Sequence, residues 1–307
     1  MSNEFSIISG EKFQYLCDCY LADEWTFSPL SHIYNNTLYK DKILNEKNFE
    51  NDELFLKSNI IFVYTWWFYR NESNVNNRVS IKKYSQDETI NAINLFINNL
   101  KKKTEPFKLV FHNSDSTVDE KFFSIFKETK CTKIFAQNVN VVDSRIQYIP
   151  IGLANSKWPH GNKKLFNSII SNNIEKTNEI FLNFSIQTNR SKREPCFNKL
   201  KNKITVFKNS NQKIYWEKLA SCKFCICPEG NGFDTHRLWE CLYLKTIPIC
   251  IENTFSRIIS NDFPLFLIKD WDELNIDDIY EKYDSYINQL DSSKLDFSYW
   301  KNIILEA

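Results

Sequence analysis

Short apolar runs alternate along this chain with stretches that are apolar only at helical spacing, and no other feature limits the fold as much. IIFVYT (60–65), FKLVFH (107–112), KIFA (133–136) and QYIPIGL (147–153) have the length and composition of buried strands. ETINAINLFINNLKKK (88–103), between the first two, carries its apolar residues on one helical face. The second half repeats the pattern with strands EIFLNFS (179–185), KITVF (203–207), KFCICP (223–228), TIPICI (246–251) and PLFLI (264–268). Helices are expected near 191–202, 213–221, 234–245, 254–260, 271–290 and 296–306. Such alternation predicts an α/β fold. The 307 residues are about twice the usual single-domain size, so two lobes are expected. Segment 155–178, with Pro159, Gly161 and many Asn and Lys residues, is the boundary region, and the expected division is 1–158 and 159–307. Residues 1–55 show only weak periodicity and receive no assignment beyond short helices and loops.

Composition narrows the function. Thirty-nine Lys and Arg against 38 Asp and Glu leave a formal charge of +1, without the footprint of a nucleic-acid binder, although a local basic pocket is allowed. No run of about 18 apolar residues spans a bilayer, and MSNEFSIISGEKF lacks the basic, apolar, small-residue order of a signal peptide; a cytoplasmic location is expected. The nine cysteines are odd in number and mostly sit in apolar runs, which reads as reduced core thiols. Cys222, Cys225 and Cys227 are closely spaced, and Cys225 and Cys227 share a strand face, but without a second cluster at ligand spacing no zinc site is expected.

Of only five glycines, four fall in two short segments: Gly152 with Gly161, and Gly230 with Gly232. Glycine permits positive φ and close approach of backbone to a ligand, so a site is sought there first. CPEGNGFDTHRLWECLYLKTIPIC (227–250) reads as strand end, glycine-bearing loop, helix, turn and strand. Asp234 or Thr235 is placed to cap the helix. The helix N-terminus, with Gly230, Asn231 and Gly232 before it and His236 in its first turn, is a natural anion site. Arg237 adds a planar donor fork suited to phosphate oxygens. Glu240, three residues on, admits two readings: an intrahelical ion pair worth ~0.3–0.5 kcal/mol, or a diphosphate clamp at Arg237 with Glu240 accepting from ribose hydroxyls.

PEGNGFDTHRLWECLYLKTIPI resembles the C-terminal signature of exostosin-like glycosyltransferases. FHNSD (111–115), FAQN (135–138), IPIGLANSKWPHG (149–161) and FLNFSIQTNRSKR (181–193) look like the spacing of related soluble viral and bacterial members, so the likeness covers residues 107–250. The resemblance implies two Rossmann-like lobes of the glycosyltransferase-B type with a cleft between them. The N-terminal lobe would take the acceptor and the C-terminal lobe the nucleotide-sugar, with the last helix able to cross back. It also implies transfer of a hexosyl or pentosyl group from a UDP- or GDP-linked donor to a hydroxyl of a glycan or other acceptor. The resemblance further implies that no metal or other cofactor is required, protein cations and the helix dipole acting on the diphosphate; in keeping with it, no Asp-x-Asp lies at a strand end, and Asp277 and Asp278 fall in an expected helix.

Further residues join the expected site. Arg190 and Arg193 follow a strand end, where open α/β sheets place ligands; the resemblance implies an arginine on the diphosphate there, Arg193 rather than Arg190, and a solvated basic loop is the alternative. Asn183 and Thr188 can add hydrogen bonds. Glu229 either faces the transferred sugar or bonds loop amides. His112, Asn113, Ser114 and Asp115 end a strand in the first half; Asp115, with His112 as the alternative, is the expected base, unless it caps the helix starting near 118. Trp158, near Asn155 and His160, either stacks on a sugar or base or is wedged between lobes. Five glycines supply neither G-x-G-x-x-G nor a P-loop. The remaining rival is a catalytically silent nucleotide-sugar or glycan-binding protein.

Overall fold

The computed structural model describes residues 6–21, 53–64, 97–120, 124, 126–156, 158–208 and 211–307. Two compact units form: residues 11–149, and residues 1–10 together with 150–307.

In the first unit, helix α1 (Gly10–Leu16) precedes β1 (Cys19–Leu21), and α2 (Glu53–Lys57) precedes β2 (Ile60–Tyr64). β3 (Phe107–His112), β4 (Cys131–Ala136) and β5 (Ile146–Tyr148) follow, and the five strands lie parallel in the order β1-β2-β3-β4-β5. β3 is buried along nearly its whole length, as a parallel strand covered on both faces must be. Of the helix expected over 88–103, residues 97–103 are described, and 97–102 are helical. QYIPIGL supplies only the end of β5, because Pro150 has no N–H to continue a ladder.

In the second unit, α3 (Lys163–Ser171) is capped by Asn162, whose side chain accepts from Leu165 N at 3.1 Å. β6 (Asn178–Phe181), α4 (Arg190–Leu200), α5 (Gln212–Ala220), β7 (Cys222–Ile226), α6 (His236–Tyr243), β8 (Ile247–Ile251), α7 (Thr254–Ser260) and β9 (Phe266–Ile268) then alternate as expected. KITVF departs from expectation. Instead of a strand it makes one parallel bridge, Val206 to Leu182, on the free edge of β6. The stretch 271–290 is likewise broken into short pieces that include α8 (Ile276–Ile279) and α9 (Tyr283–Ile287), before α10 (Phe297–Glu306).

The second sheet is parallel in the order β6-β7-β8-β9. Ile180, Phe224, Ile226, Ile247 and Ile249 pack on one face with Cys196 and Leu200 of α4 and Ile279 of α8. Phe181 points to the other face, edge-on to Tyr215 of α5 at 5.5 Å. Helices therefore cover both faces. Because the chain steps outward from β6 to the Val206 bridge and then returns to β7 on the opposite side, the strand order reverses between β6 and β7. Open α/β sheets bind ligands beyond the strand carboxyl ends at such a reversal.

Gly152, at φ +64°, lets residues 152–153 lie against residues 8–9; a Cβ there would collide with Ile8 O. Among the described residues, no helix is long and apolar enough to cross a membrane.

Candidate functional site

The loops leaving β6 and β7 flank the reversal, and each delivers one arginine. Arg193, on α4, is 7% exposed; its Nε donates to Glu229 O and its Nη1 to Ser185 O, both at 2.9 Å. Gly230 lies where the β7 loop passes this guanidinium: a Cβ on it would stand 3.4 Å from Arg193 Nη2 and 3.2 Å from Thr235 Cγ2. Gly230 N donates to Gly232 O at 3.0 Å, and Gly230 O accepts from Asn189 Nδ2 at 2.6 Å, so the loop is held at both ends of this residue.

Arg237 comes from the first turn of α6. Its Nε and Nη1 are sealed from solvent and find no hydrogen-bond partner. The guanidinium carbon lies 5.7 Å from the Tyr215 ring centre and 5.9 Å from that of Phe184, and Arg193 lies 5.8 Å from the same Phe184 ring. Burial and then the like charge of Arg237 push the Arg193 pKa down to about 10. Desolvation also opposes the charge on Arg237, yet its surroundings, Tyr215 foremost, hold its pKa above the ordinary guanidinium value. Buried charged donors left unpaired are costly and rare. Thr235 occupies the cap position of α6 without a side-chain cap bond, so the positive helix end adds to the same potential. The arrangement is suited to an anion with several oxygens.

Three acidic residues expected to meet the donor are engaged within the protein. Asp234, 3% exposed, precedes the cap residue Thr235: its Oδ2 accepts from Ile151 N at 2.7 Å and its Oδ1 from Trp239 Nε1 at 2.6 Å. Burial pushes its pKa up to about 7, against the pull of those bonds. Glu240 pairs with neither Arg237 nor an open surface, since its oxygens accept from Trp216 Nε1 at 3.0 Å and Tyr215 Oη at 3.1 Å. A buried carboxylate needs such donors, and α5 supplies both. Glu229 accepts from Asn253 Nδ2 at 3.0 Å and lies 3.8 Å from Lys192 Nζ, which makes it a brace of the loop.

Asn231 is exposed at the loop tip. His236 Nδ1 faces Gly152 O at 2.8 Å; a carbonyl only accepts, so the neutral ring carries its proton there and leaves the lone pair on Nε2. Trp158, 43% exposed, stacks on His160 at 6.2 Å, and His160 lies 6.2 Å from His236.

In the other unit, the end of β3 holds the expected base candidates. His112 is 1% exposed, and its Nδ1 lies 2.8 Å from Asn113 N and 3.2 Å from Asn113 Oδ1. Asn113 and Asn138 both adopt left-handed φ, 64° and 52°, and Ser114 O accepts from the side chains of Gln137 and Asn138. Asp115 follows, exposed.

Phe184 and Tyr215, the aromatic neighbours of the two arginines, escaped the sequence reading. Phe184 falls within EIFLNFS, where it reads only as a strand residue; nothing local marks Tyr215.

Fold and site together define a two-unit α/β protein on parallel sheets, with paired guanidinium groups at a strand-order reversal. No family model and no curated protein matches the chain. Among solved structures it is similar to an α1,3-fucosyltransferase, at 13% identity and a TM-score of 0.41, over 90% of this chain and 79% of that one. The chemistry named there is that protein's own.

Proposed function

We propose that the chain is a glycosyltransferase that binds a UDP- or GDP-linked sugar with its diphosphate on Arg237 and Arg193 and passes the sugar to a hydroxyl of a glycan or other acceptor. The observation carrying this reading is the pair of buried, unpartnered N–H groups of Arg237 beside a second guanidinium. In sugar transfer, negative charge develops on the departing diphosphate, and fixed donors aimed at it stabilise the transition state without reorganising. The two guanidinium groups and the α6 terminus supply the charge that a divalent cation otherwise provides, so no metal is required. Gly230, Asn231, Gly232 and Thr235 border the phosphates, and His236 Nε2 offers an acceptor to a donor hydroxyl. Asp115 takes the proton of the acceptor hydroxyl.

The test is turnover against a panel of UDP- and GDP-sugars. Arg237→Ala should lower turnover by about 10²–10³ fold, the cost of losing one preorganised charge-stabilising donor. EDTA should leave the parent rate unchanged, and Asp115→Asn should abolish transfer while nucleotide binding persists. A thermal shift with UDP or GDP but no transfer to any acceptor would make the protein a silent nucleotide-sugar binder. Neither binding nor turnover would reject the reading.

A further inference from the structure

Behind the β7 loop, on the sheet face that α5 and α6 cover, three thiols converge. Cys225 and Cys227 alternate onto one face of the strand and its exit, and Cys241 meets them from α6. Their sulfurs all lie within 4.8 Å of one another, and Cys227 Sγ is 3.8 Å from Cys241 Sγ. All three side chains are buried, and all are free thiols. Cys222 is excluded: it points away and bonds Lys218 O at 3.2 Å.

The spacing is that of ligands around one ion. A cation bonded to three sulfurs at ~2.3 Å holds them ~4 Å apart, so these positions need only a small contraction. The backbone carrying them is fixed, since Cys227 N donates to Ile249 O at 2.9 Å and Cys241 O accepts from Thr246 N at 2.8 Å. Among the described residues no fourth Cys, His, Asp or Glu joins the group. Structural zinc asks for four ligands, whereas soft thiolate sites without a fourth donor suit Cu(I). Three thiolates and one Cu(I) sum to a charge of 2−.

We infer that Cys225, Cys227 and Cys241 form a trigonal site for a soft, thiophilic cation, Cu(I), in the core of the second unit. The site is separate from the donor reading above and does not depend on it. Loading replaces three S–H bonds with three Cu–S bonds and releases three protons to solvent, with no change in oxidation state.

Full-length protein, reduced and kept anaerobic, should be titrated with Cu(I) held by bicinchoninate. One equivalent should leave the chelator, and X-ray absorption should show three sulfur neighbours. Cys241→Ser should weaken retention by more than the ~10²-fold that loss of an outer-shell partner costs. Cys131→Ser, a half-buried thiol of the other unit, should leave it unchanged. Copper remaining with the chelator, a two-sulfur spectrum, or equal retention by folded Cys241→Ser would each overturn the site. If Cys241→Ser does not fold, the sulfur count and stoichiometry of the parent protein decide alone.

Discussion

Asp234 and the two arginines of α4 show how far a single residue can be read before its neighbours are known. Asp234 is buried against Ile151 N and Trp239 Nε1, and burial lifts its pKa to about 7. An unfolded aspartate titrates near ~3.9. Between those values the folded chain binds more protons than the unfolded one, so stability should fall as pH rises through this window, by up to ~1.4 kcal/mol per pH unit, and level off above it. Thermal unfolding of the parent and Asp234→Asn across pH 5–8 checks this: the difference between the two curves should slope in that direction, and parallel curves would remove the effect. Arg190 and Arg193 illustrate the opposite difficulty. Both follow β6 in the sequence, yet Arg190 pairs at the surface with Glu194 at 3.0 Å while Arg193 turns inward. Only the phase of α4, fixed by Cys196 and Leu200 in the core, separates them. Glu240 was beyond local reading, because its partners Tyr215 and Trp216 lie on another helix.

At the scale of elements, strands were legible because parallel strands covered on both faces become nearly continuous apolar runs, as in FKLVFH and TIPICI. Helix starts were legible where Asn accepts from an amide of the first turn, as at Asn253 before α7. KITVF failed for a physical reason: Lys203 N and Ile204 N still bond Leu200 O, so the turn closing α4 consumes the start of the run, and Val206 on the sheet edge is 39% exposed. The helix α3 was hidden in a stretch whose Asn and Lys content reads as a loop, although Phe166 and Ile169 are buried. Lys176 joins elements in a way no pattern reveals. Its Nζ donates to Cys222 O, Leu244 O and Thr246 Oγ1 at 2.8, 2.8 and 2.9 Å, tying the end of α6 to the start of β7. Lys176→Met should therefore destabilise the protein by about 1–3 kcal/mol, the cost of orphaning buried acceptors, measured by urea unfolding. A change within ~0.5 kcal/mol, ordinary for a surface substitution, would assign those bonds no weight.

For the whole molecule, the alternating pattern conveyed two α/β halves, but not that residues 6–9 belong with the later one. Ser6 N donates to Asp296 Oδ2 at 3.0 Å, Phe297 N to Ser6 O at 2.8 Å, and Leu153 N to Ile8 O at 2.8 Å. Tyr243 Oη accepts from Ile8 N at 2.8 Å and donates to Leu295 O at 2.6 Å, so one hydroxyl bridges both segments to α6. Removing it in Tyr243→Phe should cost about 2 kcal/mol and expose residues 6–9 to limited proteolysis; an unaltered digest would show the segment held by its other bonds. The Ser6–Asp296 contact joins residues 290 positions apart. Domains generally fold as units, the earlier ones first while synthesis continues. Residues 6–7 therefore lack these partners until residues 296–297 have been made, and chaperone demand should centre on that interval.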